Sequence, residues 1–451
     1  MSIWANVIKR FTAPSLPKPT PQYDQKYFDA LVNVLRLYFN QLDNLLGLIV
    51  SAQPVNVNFY GTALDAFGRA RFSQPYTLFD SQNRYAKNDL FSETTATGGA
   101  ATYIANESTV NMTTTTSSGS EVVRQTYRSF PYQPGKGLLV MNTFVIGAAQ
   151  ENQRVRVGYF NTENGVFFEL DGTTLYMVRR TYVTGTAVDT RVPQAEWNGD
   201  KLNGTGDSAL TIDITKAQIF WQDFEWLGVG SVRTGFIING QTIICHTFQN
   251  ANNLDRVYMT TAILPVRYEI TNTGVTANAG SLRQICSTVI SEGGYEKRVM
   301  TDVARMTAIN TNISTTFVPL VSIRLASGRT GAVVIPDGYS VLPSASSSTT
   351  FEVVMVKNPT LTGPTSWVAT SSTNVEMDIS STGYTGGTIA FSNYVQESMQ
   401  ASSMVNNGAE YNWDMQLGAT IGGVSDIYTI AVRTLSGTHN AVGSMSFWDL
   451  T

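Results

Sequence analysis

The chain has 451 residues, 42% of them hydrophobic, which excludes a disordered polymer and leaves room for two or three packed domains. Only 14% of residues are charged and the formal net charge is −4, so a surface built to neutralise nucleic-acid phosphates is excluded. Polarity comes from Thr, Ser, Asn, Gln and Gly, which make a neutral, hydrogen-bonding surface suited to contact with proteins or sugars.

At the N-terminus, Ile3, Trp4, Val7, Ile8 and Phe11 share one face of a short helix. The start "MSIWANVIKRF" lacks the apolar region of a signal peptide. A spacer with four prolines, "TAPSLPKPTPQ", follows, so residues 1–22 read as an anchoring leader that docks on a neighbouring protein. Thr20 and Pro21 then offer a capping hydroxyl and a first-turn proline.

Residues 23–50 are predicted to form a long amphipathic helix. Phe28, Leu31, Leu35, Tyr38, Leu42, Leu45 and Ile49 alternate at spacings of three and four, the seam of a coiled coil. Val32, Phe39 and Leu46 widen that seam. The pattern suits a homo-oligomer, with a trimer favoured; the other reading is a helix laid on its own domain. Residues 51–130 mix aromatics and turn residues with the Thr-rich run "ETTATGGAATYIANESTVNMTTTTSSGSE", and read as an extended arm.

From residue 131 the strand signals become dense. "GLLVMNTFVIG", "RVRVGYF" and "GVFFELDGTTLYMVRR" are strand runs, and Asp171-Gly172 and Asn239-Gly240 are type I′ hairpin signals. Residues 131–278 are predicted to be one β-sandwich and 279–451 a second β-rich domain. The fold class is therefore mainly β: two jelly-roll-like sandwiches behind one long helix. No run of 18 apolar residues appears, so no membrane span is predicted.

Chemical motifs are sparse. Glu169 and Asp171 are read at a hairpin tip, and Asp223 and Glu225 share one face of a strand by alternation. Such a pair could serve acid–base work on a glycan. "FWQDFEWLG" brings no third group, so both acids are read as lying on the wetter face of the strand, with Phe220, Phe224 and Trp226 turned to the core. Two cysteines, Cys245 and Cys286, and two histidines, His246 and His439, make neither a disulfide framework nor a histidine metal cluster. "PGKGLL" is not a P-loop. No catalytic, cofactor or metal residue is assigned, no cofactor is expected, and the chain is not read as an enzyme.

The stretches "YTLFDSQNRYAKND", "FPYQPGKGLLV", "GYFNTENGVFFELDG", "WNGDKLNGTG", "TKAQIFWQDFEWLGVGSVRTGFIINGQ" and "ICSTVISEGGYE" resemble structural proteins of tailed double-stranded DNA phages of marine bacteria and cyanobacteria. The resemblance implies a virion component, at the capsid, neck, tail or fibre base, with other virion proteins as partners. "VRTGFIINGQTI" also resembles a strand pair of concanavalin-like jelly rolls, which often bind sugars. Two other classes stay open: a receptor-recognition module for host-surface glycans, and a glycan hydrolase using Asp223 and Glu225.

Overall fold

The computed structural model describes residues 16–18, 22–51, 74–296, 300–344, 349–396 and 413–451, and all counts below are of these. The chain divides into two units, residues 1–59 and 60–451. The leader residues Ile3, Trp4, Val7, Ile8 and Phe11 lie outside the described residues, as do Thr20 and Pro21.

In the first unit, helix α1 spans Gln25–Ser51, about 40 Å at 1.5 Å per residue. Asp24 caps it: its Oδ1 accepts the Lys26 backbone N–H at 2.9 Å, which satisfies a donor of the first turn. The Tyr23 ring stacks on Phe28 at 5.3 Å and fixes the angle at which the chain enters the helix. On the seam, Phe28 is 43% exposed and Leu35 37%, and Leu31, Tyr38 and Leu42 are half-buried. Val32 and Phe39 are exposed as well. Leu45 and Ile49 are helical, but their side chains lie outside the description.

The second unit is built of β-sandwiches. The first uses β1 (Pro75–Ser81), β2 (Phe91–Ala96), β3 (Ala100–Ile104), β4 (Thr109–Thr113) and β5 (Glu121–Thr126). It continues with β6 (Gly137–Ile146), β7 (Gln153–Phe160), β8 (Gly165–Asp171), β9 (Thr174–Thr181) and β10 (Val188–Pro193). It ends with β11 (Gln218–Phe224), β12 (Val232–Ile238), β13 (Gln241–Phe248), β14 (Val266–Asn272) and β15 (Ser281–Glu292). One sheet has eight strands, ordered β13-β12-β11-β6-β15-β4-β3 with β1 also on β15; the other has seven, ordered β10-β9-β8-β7-β14-β5-β2. The inner faces meet in an aromatic core in which Phe168 lies 5.9 Å from Phe144, 5.8 Å from Phe220 and 5.4 Å from Phe236, ring centre to ring centre.

The Thr-rich run expected to be an arm instead supplies β2, β3 and β4 to these sheets. Two of its apolar side chains, Val110 and Met112 on β4, are buried, and Thr109, Asn111 and Thr113 alternate with them. Asn239-Gly240 forms the expected turn, with φ of 53° and 75°. At the other hairpin Asp171 pairs with Thr174, so the turn falls on Gly172-Thr173, and of those two only Gly172 has positive φ. That is the type II′ pattern, one residue along from the expected turn.

The second sandwich uses β16 (Met300–Arg305), β17 (Asn310–Ile313), β18 (Val318–Leu325), β19 (Val334–Ser344), β20 (Thr350–Lys357) and β21 (Thr360–Thr362). It adds β22 (Val368–Ala369), β23 (Val375–Asp378), β24 (Gly383–Thr385), β25 (Thr388–Gln396), β26 (Ile427–Thr434) and β27 (His439–Asp449). A four-stranded sheet around β27 faces a six-stranded one ordered β22-β23-β18-β26-β20-β25. Leu320, Ile323, Phe351, Val353, Ile430 and Phe447 centre its own core. The sandwiches are joined by a shared seam. Val333, Ile335 and Leu450 enter the core of the first, the Ala419 N–H donates to Tyr127 O at 2.8 Å, and the Gln416 amide donates to Ser129 O at 2.8 Å.

Candidate functional site

β11 carries the acids singled out in the sequence. Phe220 and Phe224 turn inward, so Trp221, Asp223 and Glu225 take the opposite face, as alternation requires. That face is not wet: all three side chains are fully buried. Asp223 is bound by the Arg233 guanidinium on the neighbouring strand, through Nε at 3.0 Å and through Nη2. Trp226 is half-buried against the core, as read from the sequence.

Glu169 and Asp171 belong to an ion-pair lattice on the outer face of the seven-stranded sheet. Arg156 Nε reaches Glu169 at 2.6 Å and its Nη1 reaches Glu269 at 3.4 Å. Arg191 bridges Glu169 at 2.6 Å and Asp171 at 2.5 Å; Arg180 forks onto Asp189 at 2.7 and 2.8 Å; Arg267 holds Glu269 at 2.9 Å. Arg156 and Arg180 lie over the Phe167 ring at 5.3 and 5.2 Å. Burial works to raise the Glu269 carboxyl, but Arg267 and Arg156 outweigh it and hold it below the usual carboxylate range. Burial likewise opposes the Asp189 shift, and Arg180 drives it below the ordinary value. Glu169 is therefore fully buried within a strand, not at a hairpin tip. The acids of this lattice are thus paired with arginines of the same sheet.

His246 is buried; burial first, then the Arg179 charge, lower its pKa to about 4. Its Nδ1 accepts the Asn198 N–H at 3.4 Å, a structural use of the ring. Cys245 and Cys286 are free thiols, both raised in pKa by burial. Among the described residues no group of three or more His, Cys, Asp or Glu is placed to hold a metal, and no helix is long and apolar enough to cross a membrane.

The second sandwich carries a cleft that no sequence motif announces. It has a volume of about 550 Å3, within the usual range for ligand pockets. Three segments line it: Thr301 and Asp302 on β16, the loop 371–374 between β22 and β23, and the end of β27 at Asp449. Ser372 ties them together. Its N–H donates to Asp302 Oδ2 at 2.6 Å and its hydroxyl to Asp449 Oδ2 at 2.6 Å. The Asn374 amide also donates to Asp449 Oδ2 at 2.9 Å, and the Val303 N–H to Asp302 Oδ1 at 2.7 Å. Burial pushes the Asp302 carboxyl up, but the backbone N–H groups of Ser372 and Val303 prevail and hold it below its ordinary value. The result is a pair of oriented carboxyl acceptors held by neutral donors. A smaller cavity of about 140 Å3 lies at the seam between Tyr127, Arg267 and Thr420.

No family model matches the chain, and no curated protein is significantly similar to it in sequence. Among solved structures it is similar to the carbohydrate recognition domain of Emp47p, at 10% identity over 46% of this chain and 90% of that one, with a TM-score of 0.28. It is similar to a beta-1,3-glucanase from Mycobacterium marinum, at 11% identity over 48% of this chain and 98% of that one, with a TM-score of 0.32. It is also similar to arcelin-5, a lectin-like defense protein from Phaseolus vulgaris, at 10% identity over 49% of this chain and 99% of that one, with a TM-score of 0.29. Likenesses this slight transfer no site and no activity. The expected role as a structural component of a virus particle is nevertheless corrected: these neighbours are a carbohydrate recognition domain, a glucanase and a lectin-like protein, and none of the three is a particle protein.

Proposed function

We propose that this chain is a glycan-binding module without catalytic activity. The observation that carries the reading is the cleft bridged by Ser372, where two carboxylates and an amide are fixed beside the Thr301, Ser371 and Thr373 hydroxyls. Sugar hydroxyls need closely spaced hydrogen-bond partners held in fixed directions, and this wall supplies them at little cost in ordering. Acid–base hydrolysis is disfavoured, because a glycosidase needs one protonated carboxyl and Asp302 is held the other way. Asp223 is likewise engaged by Arg233. An open cleft binds weakly alone, and the exposed seam of α1 supports self-association, which multiplies weak sites through avidity.

Glycan-array binding by the full chain tests the reading. Binding to at least one glycan class, lost in Asn374→Ala with the fold retained, is expected. A blank array, or turnover of a bound polysaccharide, overturns it. Sedimentation tests the valency: Leu35→Asp with Leu42→Asp should give monomers whose sheet content is unchanged.

A further inference from the structure

Resting on the glycan-binding reading, we infer that the cleft at Asp302, Ser372 and Asp449 selects neutral glycans, gripped through vicinal hydroxyls, and rejects sialylated, uronic or sulfated ones. The inference follows from a donor and acceptor count. The Ser372 N–H and the Val303 N–H point to Asp302, while the Ser372 hydroxyl and the Asn374 amide point to Asp449. The Asn374 N–H donates to Ser372 Oγ at 3.1 Å, and the Thr451 N–H to Asp449 Oδ1 at 3.1 Å. The donors of the wall are thus turned onto its own acceptors.

A carboxylate offers about four lone-pair directions; Asp302 also receives the Thr370 and Ser371 hydroxyls, so the spare acceptor capacity of the wall lies on Asp449. A ligand matched to this wall must bring donors. Two adjacent sugar hydroxyls do so and can accept in return from the Thr301 and Thr373 hydroxyls. A sugar carboxylate or sulfate brings acceptors and a negative charge. Among the lining residues two side chains are anionic and none is Lys, Arg or His. Like charges at about 5 Å in a half-solvated site disfavour binding by about tenfold or more at low ionic strength, and salt weakens the effect.

The test uses pairs of immobilised glycans that differ by one acidic group, sialylated against desialylated, with the full chain at low and at high salt. The expected result is binding of the neutral partner about tenfold or more tighter at low salt, with the gap narrowing as salt rises. Asp302→Asn and Asp449→Asn, which keep shape and remove charge, should shrink the preference while circular dichroism stays unchanged. Equal or stronger binding of the sialylated partner, still abolished by Asn374→Ala, overturns the selectivity and leaves the glycan reading standing. Glycan binding that none of the three variants alters overturns the assignment of this cleft. Failure of the wild type to bind either partner, or anything on the array, overturns both readings.

Discussion

The outer sheet of the first sandwich and the cleft of the second both fix carboxylates, but they do it with opposite partners. Glu169 and Glu269 are gripped by arginines over aromatic rings, with charge cancelled at contact distance and water excluded. Asp302 and Asp449 are gripped by N–H and O–H groups that carry no net charge, at the wall of an open cleft. A guanidinium partner makes an acid part of the scaffold. A neutral donor fixes an acid's direction and leaves its field available to a ligand. A buried acid on an outward strand face is therefore a poor sign of chemistry until its partners are known.

The sharpest way to break this comparison is Arg156→Ala. It leaves Glu169 and Glu269 buried with one cation fewer, and should cost about 3–5 kcal/mol in denaturant unfolding. A cost below about 1 kcal/mol would mean that the lattice behaves like an ordinary exposed pair. Acid comes next. The folded-state pKa values of Glu269 and Asp189 are depressed, so their stabilisation is complete above the ordinary values of 4.5 and 3.8 and is lost as pH falls through the lower folded values. Thermal unfolding followed from pH 6 to pH 2 should show stability falling from about pH 4.5 downward. An unchanged midpoint would refute the linkage. Ser372→Ala has a smaller effect: about 0.5–1.5 kcal/mol for a bridging hydroxyl, with glycan binding reduced far more than stability. Smallest of all is salt. Raising sodium chloride to about 1 M should hardly move the stability of the first sandwich, because buried pairs are little screened, yet it should narrow the discrimination made by the cleft.

Much of the scaffold was legible from strand alternation and hairpin residues. Asn239-Gly240 marked its turn because both residues tolerate positive φ. Asp171-Gly172 misled by one position, since the register of β8 on β9 is set by Phe168 and Met177 facing the core as well as by the turn. The Thr-rich strands were missed because their outward positions dominate the composition, while β4 finds its partner β15 some 170 residues later, as Met112 against Leu282 shows. For Asp223 and Glu225, alternation gave the shared face correctly. Burial on that face depends on packing partners that periodicity does not encode. The cleft was invisible for a stronger reason. Ser372 meets Asp302 across 70 residues and Asp449 across 77, and each segment alone is ordinary turn or strand-end chemistry.

The strands that open and close each sandwich lie side by side. β1 pairs with β15, as Tyr76 opposite Ser291, and β16 pairs with β27, as Asp302 opposite Phe447. Each sandwich thus begins and ends at neighbouring positions, the geometry of a cassette that can be inserted into, or circularly reordered within, a longer chain without disturbing its hydrogen-bonded ladder. The same closure has a kinetic side. Neither sandwich is complete until residues some 140 to 210 apart in sequence have met, so both should fold slowly and expose unpaired strands while they do.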